Sequence, residues 1–251
     1  MSEAVAVSYR DGVALATIDR PPVNAVDQVV RAGLEHAFAE LRARKDVEAI
    51  VVGCAGRTFV AGADIKEFDT GIAPPAYHDV FRLIEDSPVP VVAAIHGTAL
   101  GAGTELTLAC HYRIAEENAR LGLPELSLGI IPGAGGTQRM PRLIGPARAK
   151  DLIYSGRFVA AGEALAIGLV DRVVPDDQVY QAAVEEARRY AAGPLQALRA
   201  AKVAITWGSR TDLRSGLVIE RETFADLCAT RDQKEGMQAF AEKRKPEFTG
   251  R

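Results

Sequence analysis

Two short, uninterrupted runs of apolar residues constrain the fold of this chain more than any other feature. They are Ala49–Val52 and Val91–Ile95, and a strand that is apolar along its whole length is typically buried on both faces of a sheet. Each run is followed by a loop rich in small residues and then by a segment with helical character. This alternation of strand, loop and helix predicts an α/β fold for the front of the chain.

The segments on either side of these runs extend the prediction. Val5 to Ile18 is expected to form a hairpin around Asp11-Gly12, and Asp27 is expected to cap a helix that follows it. The last quarter of the chain contains only helical patterns, and Pro194 suits the first turn of one of them. We therefore expect a core over residues 1–194 and an all-helical region over residues 195–251.

Composition narrows the classes of function. The net charge of −3 over 251 residues argues against a dedicated nucleic-acid surface. Cys54, Cys110 and Cys228 are too widely spaced for a zinc motif or a disulfide framework, which favours a reducing, cytoplasmic location. The first residues lack the features of a signal peptide, and no apolar segment is long enough to cross a membrane.

Two glutamates stand within glycine-rich segments. Glu105 ends the run Gly97–Glu105, and Glu125 lies between Gly122 and Gly129. Burial raises the pKa of a carboxyl, so two such groups can share acid and base roles over one substrate. The alternatives are a first-turn carboxylate stabilised by the helix dipole for Glu105 and an exposed loop residue for Glu125.

Two of the small-residue loops can offer backbone amides to a ligand. Phe59–Lys66 and Gly97–Gly103 both follow a predicted buried strand and precede a predicted helix, where the first N–H groups lack partners within the helix. If the two corners face each other, they can stabilise a developing negative oxygen. Tight turns are the simpler interpretation of the glycines, and neither a phosphate-binding nor a dinucleotide-binding motif is completed.

Taken together, these segments make the chain resemble the enoyl-CoA hydratase/isomerase family, also called the crotonase family, over nearly its whole length. The resemblance implies a spiral of β-β-α units with a helical C-terminal region for trimerisation. The matching segments are Arg20–Ala25, Ala61–Asp64, Ala99–Leu106, Pro124-Glu125, Ile131–Arg139, Ser155–Arg157 and Glu242–Pro246.

The resemblance also implies roles for individual residues. Glu105 and Glu125 match the catalytic pair of the hydratases, and the amides of Ala63 and Ala102 match the oxyanion hole. Ala102 departs from the family, in which glycine is usual, so its methyl group puts rate and chain-length preference in question. Gly133 matches a residue that positions water. The residues implied to contact coenzyme A are Ala61, Asp64, Ile65, Lys66, Phe240 and Lys243, the last two usually from a neighbouring subunit.

Because both glutamates are present, the resemblance favours hydration of a 2-enoyl-CoA thioester to a 3-hydroxyacyl-CoA. The alternatives are isomerisation of a 3-enoyl-CoA, another coenzyme A reaction of the same scaffold, and a non-catalytic acyl-CoA- or RNA-binding protein. No metal or further cofactor is expected, since coenzyme A is part of the substrate. We expect a homotrimer or a dimer of trimers. Fatty acid metabolism is the pathway that we expect by default.

Overall fold

The structure is a computed structural model that describes residues 4–250. It divides the chain into two compact units, of which the first ends at Ala187 and the second begins at Arg188. The sequence-based boundary at 194/195 lies a few residues further along. Within the described range, no helix combines the length and the apolar character that crossing a membrane requires.

A mixed sheet forms the centre of the first unit. The strands of the chain are β1 (Val5–Arg10), β2 (Val13–Ile18), β3 (Ala49–Cys54), β4 (Val91–Ile95), β5 (Thr98–Leu100), β6 (Tyr112–Glu116), β7 (Arg120–Gly122), β8 (Val159–Ala160) and β9 (Arg172–Val174). The main sheet has the order β1-β2-β3-β4-β6-β9. All its neighbours are parallel except β1 and β2. The two apolar runs are β3 and β4, which pair with each other and are buried throughout, so that prediction is confirmed.

Helices cover the sheet and form the second unit. They are α1 (Gln28–Ala43), α2 (Lys66–Thr70), α3 (Tyr77–Glu85), α4 (Ala102–Ala109), α5 (Gly136–Ile144), α6 (Pro146–Ser155), α7 (Ala161–Ile167), α8 (Val179–Ala191), α9 (Leu195–Gly208), α10 (Leu213–Leu227) and α11 (Arg231–Glu242). Asp27 caps α1 as predicted, because its Oδ1 accepts from the Val30 N–H at 2.9 Å. The helices predicted for the last quarter of the chain are confirmed in position.

The first unit repeats a β-β-α order. In each repeat a strand of the main sheet leads to a short strand of a second, smaller sheet and then to a helix: β4-β5-α4 and β6-β7-α5 are two examples. A preceding repeat runs from β3 to α3, and its short strand is reduced to a single parallel bridge between Val60 and Ala99. The α/β prediction with a helical C-terminal region is therefore confirmed.

Several short elements escaped the sequence analysis, including the strands β7 (Arg120–Gly122) and β8 (Val159–Ala160). Thr98–Leu100 was expected to be part of a loop but forms β5, which is too short to show a strand periodicity. Gly133–Thr137 was interpreted only as a glycine-rich loop, whereas α5 begins at Gly136 and even contains Pro141. Glycine and proline mark loops in a sequence, so tertiary packing overrides the local signal in this helix.

Candidate active site

One pocket in the first unit collects the residues that the sequence analysis singled out. Glu105 and Glu125 both line it, although they belong to different repeats of the fold. Its wall is otherwise apolar or backbone, which suits a pocket that fixes a ligand through a few polar groups. The residues that line it are Ala61, Gly62, Ala63, Ile65, Phe68, Ile72, Tyr77, Gly101, Ala102, Glu105, Pro124, Glu125, Leu128, Ile130, Ile131, Gly133 and Ala134.

The two small-residue corners lie against each other, which the sequence analysis had left as a condition. The Leu100 N–H donates to the Val60 carbonyl at 2.9 Å, and the Val60 N–H donates to the Thr98 carbonyl at 3.0 Å. A Cβ atom on Gly103 would lie only 2.4 Å from the Val60 carbonyl oxygen. Glycine at this position therefore allows α4 to begin directly beside the other corner.

One residue from each corner, Ala63 and Ala102, lines the pocket. Ala102 is the first residue of α4, where an amide has no acceptor within its own helix. Ala63 and Val26 form a parallel bridge. In this bridge the Val26 N–H donates to the Gly62 carbonyl, so the bond leaves the Ala63 N–H unused. The two residues to which the resemblance assigns the oxyanion hole therefore line one pocket.

Glu105 is a buried carboxyl with a fixed orientation. It is only 2% exposed, and its Oε1 accepts from the amides of Ala134 and Gly136, both at 2.8 Å. Burial raises the pKa of Glu105, while the amides of Gly136 and Ala134 and the nearby side chains of His78 and Arg139 oppose that rise. It does lie in the first turn of α4. Its burial and its place in the pocket, however, exclude a simple surface carboxylate.

The loop that holds Glu105 is itself held by a partly buried ion pair. Arg139 donates to the Ala134 carbonyl at 3.0 Å and pairs with Glu85 at 2.9 Å. A Cβ atom on Gly136 would lie 3.0 Å from Glu105 Oε1 and even closer to Leu123, so a side chain there would crowd the carboxyl. The sequence analysis did not predict that the amides of Ala134 and Gly136 hold Glu105. The only local signal for this contact was the glycine-rich run 133–136.

Glu125 begins a short 3-10 turn, Glu125–Leu128, and is half-buried. Its Oε2 is buried without a hydrogen-bond partner among the described residues, and its Oε1 would lie 3.1 Å from a Cβ atom on Gly101. Burial, together with the negative charge of Glu105, raises the pKa of Glu125 to about 7, against the effect of its own backbone amide. The pocket therefore contains a carboxyl that gains and loses a proton near neutral pH.

This raised pKa makes a prediction about stability. The folded protein holds the Glu125 proton more tightly than the unfolded chain does. The free energy of unfolding therefore decreases as the pH rises from about 4.5 to about 7, because the carboxyl ionises more easily in the unfolded chain. At pH 8, Glu125→Gln should stabilise the protein by about 1–2 kcal/mol, after discounting for solvent in the pocket. Urea unfolding at pH 5 and pH 8 measures the effect, and a gain that is equal at both pH values would contradict it.

The structure separates the other predicted residues into three groups. Ala61, Ile65 and Gly133 line the pocket. Asp64 accepts a hydrogen bond from the Lys66 amide at the start of α2, and the Lys66 side chain is exposed. The remaining two, on α11 and at its end, belong to the second unit and are exposed: Phe240 and Lys243.

Comparisons with known proteins identify the family that this chain resembles over nearly its whole length. Residues 8–251 match the family model described as enoyl-CoA hydratase/isomerase. A probable enoyl-CoA hydratase of Bacillus subtilis is 40% identical, over 98% of this chain and 99% of that protein. The crotonyl-CoA hydratase of Syntrophomonas wolfei is also 40% identical, over 98% of each chain. An enoyl-CoA hydratase from Bacillus anthracis has a crystal structure with a TM-score of 0.93 and 40% identity, covering 99% of this chain and 100% of that one.

Proposed function

The chain belongs to the enoyl-CoA hydratase/isomerase family, and from that premise we propose how its pocket works. It is an enoyl-CoA hydratase, an enzyme of the hydro-lyase type that adds water across the 2,3 double bond of a 2-enoyl-CoA. The single observation that carries the mechanism is the convergence of two partly or fully buried carboxyls, Glu105 and Glu125, on one pocket with two amide-bearing corners.

The amides of Ala63 and Ala102 bind the thioester oxygen in this proposal. Negative charge builds on that oxygen as water attacks C3, and the preorganised N–H groups stabilise it. Losing one donor of such a hole typically costs about 3 kcal/mol of barrier. The alanine at 102 keeps its N–H, and its side chain is buried, so the methyl group packs inside the protein wall without removing the donor.

The two glutamates divide the proton transfers. Glu105, fixed by the amides of Ala134 and Gly136, orients the attacking water and takes a proton from it as the bond to C3 forms. Glu125 gives its proton to C2, and exchange between the glutamates and solvent restores the starting state. The raised pKa of Glu125 supports its assignment as the acid. Gly133, in the wall beside Ala134, helps hold the water.

These roles predict a pH dependence. Glu125 must be protonated to act as the acid, so kcat/KM for hydration should fall about tenfold per pH unit above about pH 7. Below that range the rate should fall again as Glu105 becomes protonated, and the two apparent pKa values belong to the coupled pair. A kcat/KM profile from pH 5 to pH 9 measures this, and a flat profile up to pH 9 would remove Glu125 as the acid.

Further parts of the proposal concern the substrate and the assembly. Ala61, Asp64, Ile65 and Lys66 lie at the start of α2 and form the coenzyme A side of the site. Phe240 and Lys243, which are exposed in the second unit, contact the coenzyme A that a neighbouring subunit binds within a trimer or a dimer of trimers. A role in fatty acid metabolism follows from the substrate class, and the buried free thiols of the first unit support a cytoplasmic location.

A substrate panel tests the proposed function. Purified protein is offered 2-enoyl-CoA and 3-enoyl-CoA thioesters of increasing length, and the products are identified by mass spectrometry. We expect 2-enoyl substrates, beginning with crotonyl-CoA, to lose their enoyl absorbance and to become 3-hydroxyacyl-CoA. Conversion of 3-enoyl substrates without any hydration would favour an isomerase, and binding without turnover would favour a non-catalytic protein.

A further inference from the structure

Arg31 on α1 is a fully buried arginine with all three guanidinium nitrogens hydrogen-bonded to one segment. Its side chain is 0% exposed, and it forms an ion pair of 2.6 Å with Glu67. Its other two nitrogens donate to the carbonyls of Ala73 and Pro75, each at 2.8 Å. A buried charge is tolerated only when its hydrogen bonds are satisfied in this way. We call the segment Glu67–Tyr77 the wall segment.

The neighbouring turn of α1 contacts the same segment. The Gln28 amide donates to the second carboxylate oxygen of Glu67 at 2.7 Å, and the Gln28 side chain donates to the Pro74 carbonyl at 3.0 Å. At the end of the segment, the Arg31 guanidinium lies 4.4 Å from the ring centre of Tyr77. The Gln28–Arg31 turn therefore fixes the wall segment at its beginning, its middle and its end.

The wall segment forms one side of the candidate active site. Phe68, Ile72 and Tyr77 all line the pocket that contains both glutamates. Phe68 and Ile72 are 45% and 46% exposed, so their own burial holds them only weakly. Residues 71–76 lie between α2 and α3 and have no helix or strand of their own. The hydrogen bonds of Arg31 and Gln28, together with the buried Tyr77 at the end of the segment, thus connect this part of the pocket wall to the core.

We propose that Arg31 is a positioning residue that holds Phe68 and Ile72 in place and thereby limits the length of the acyl chain that the enzyme hydrates. This inference rests on the proposed hydratase function. The guanidinium is suited to the role because its planar fork reaches three acceptors at fixed angles, which a single ammonium group cannot do. Loosening the wall removes a steric boundary, so the expected consequence is weaker discrimination between short and long acyl chains.

The test compares kcat/KM for C4 and C10 2-enoyl-CoA substrates in wild type, Arg31→Met and Glu67→Gln. Both variants should move the C4-to-C10 ratio toward one by about tenfold, the discrimination that a pocket wall typically provides. Glu67→Gln keeps Arg31 in place, which covers the case in which Arg31→Met fails to fold. Arg44→Met is the matched control, because Arg44 follows the end of the same helix and pairs with Asp46 at the surface.

A purely structural role would reduce the active fraction equally for every substrate. An unchanged C4-to-C10 ratio in both variants, including the case of a wild type without any length preference, would therefore overturn the proposal. Hydrogen exchange of the peptide covering residues 67–77 gives an independent readout, and it should rise in Arg31→Met but not in Arg44→Met. A wild-type protein without hydratase activity would instead overturn the proposed function, and the specificity role with it.

Discussion

Replacing Glu125 by glutamine is expected to reduce kcat/KM for hydration of crotonyl-CoA by about 10²- to 10⁴-fold, the usual contribution of general acid–base catalysis. The amide of glutamine has nearly the same shape but cannot give a proton to C2. The same change should stabilise the folded protein at pH 8, because it removes a charge from a half-buried site. A variant that loses activity and gains stability indicates a side chain that catalysis needs but that destabilises the folded protein.

The control for this experiment is Glu117→Gln. Glu117 is exposed and lies outside the pocket, so its replacement should leave both the rate and the unfolding transition close to wild type. Stopped-flow or steady-state measurement of 2-enoyl absorbance gives the rates. Turnover of Glu125→Gln within threefold of wild type would show that another group supplies the proton.

Replacing Glu105 by glutamine should also reduce hydration, by a similar factor of about 10²–10⁴. The glutamine carbonyl can still accept from the amides of Ala134 and Gly136, so the loop keeps its anchor while the base is lost. Isomerisation of a 3-enoyl-CoA, if the enzyme has this activity, needs mainly Glu125 to carry a proton between carbons. It should therefore survive the change far better than hydration does.

Parallel assays of 2-enoyl-CoA hydration and 3-enoyl-CoA isomerisation on Glu105→Gln measure this separation. Circular dichroism and an unfolding curve establish that the variant is folded, and Glu117→Gln serves again as the control. Equal loss of both activities would mean that Glu105 acts on the pocket as a whole. Unchanged hydration would remove Glu105 from the mechanism.

Local sequence signals were enough to predict the strands, the helix start and the loops around the site. The apolar runs at β3 and β4 identified two buried strands, and Asp27, as a capping residue, indicated the start of α1. The small residues after each strand indicated two corners that could offer backbone amides to a ligand, and residues of both corners line the pocket. These features depend on residues close together in the chain, so periodicity and residue type are sufficient to find them.

What the sequence did not show depends on contacts between distant residues. The cradle of Glu105 comes from amides 29 and 31 positions away, and no local pattern specifies that approach. Arg31 lies next to the apolar positions of an amphipathic helix. Its burial is explained by the carbonyl acceptors of the wall segment, which are distant in the sequence. The raised pKa of Glu125 likewise results from packing around a short turn.

The most direct test of the account is to follow crotonyl-CoA in water enriched in ¹⁸O and to locate the label in the product by mass spectrometry. The account predicts a 3-hydroxyacyl-CoA that carries the heavy oxygen at C3, formed at a measurable rate by wild type and far more slowly by Glu105→Gln and Glu125→Gln. Label in a free carboxylic acid, an unlabelled isomer or unchanged substrate would contradict it.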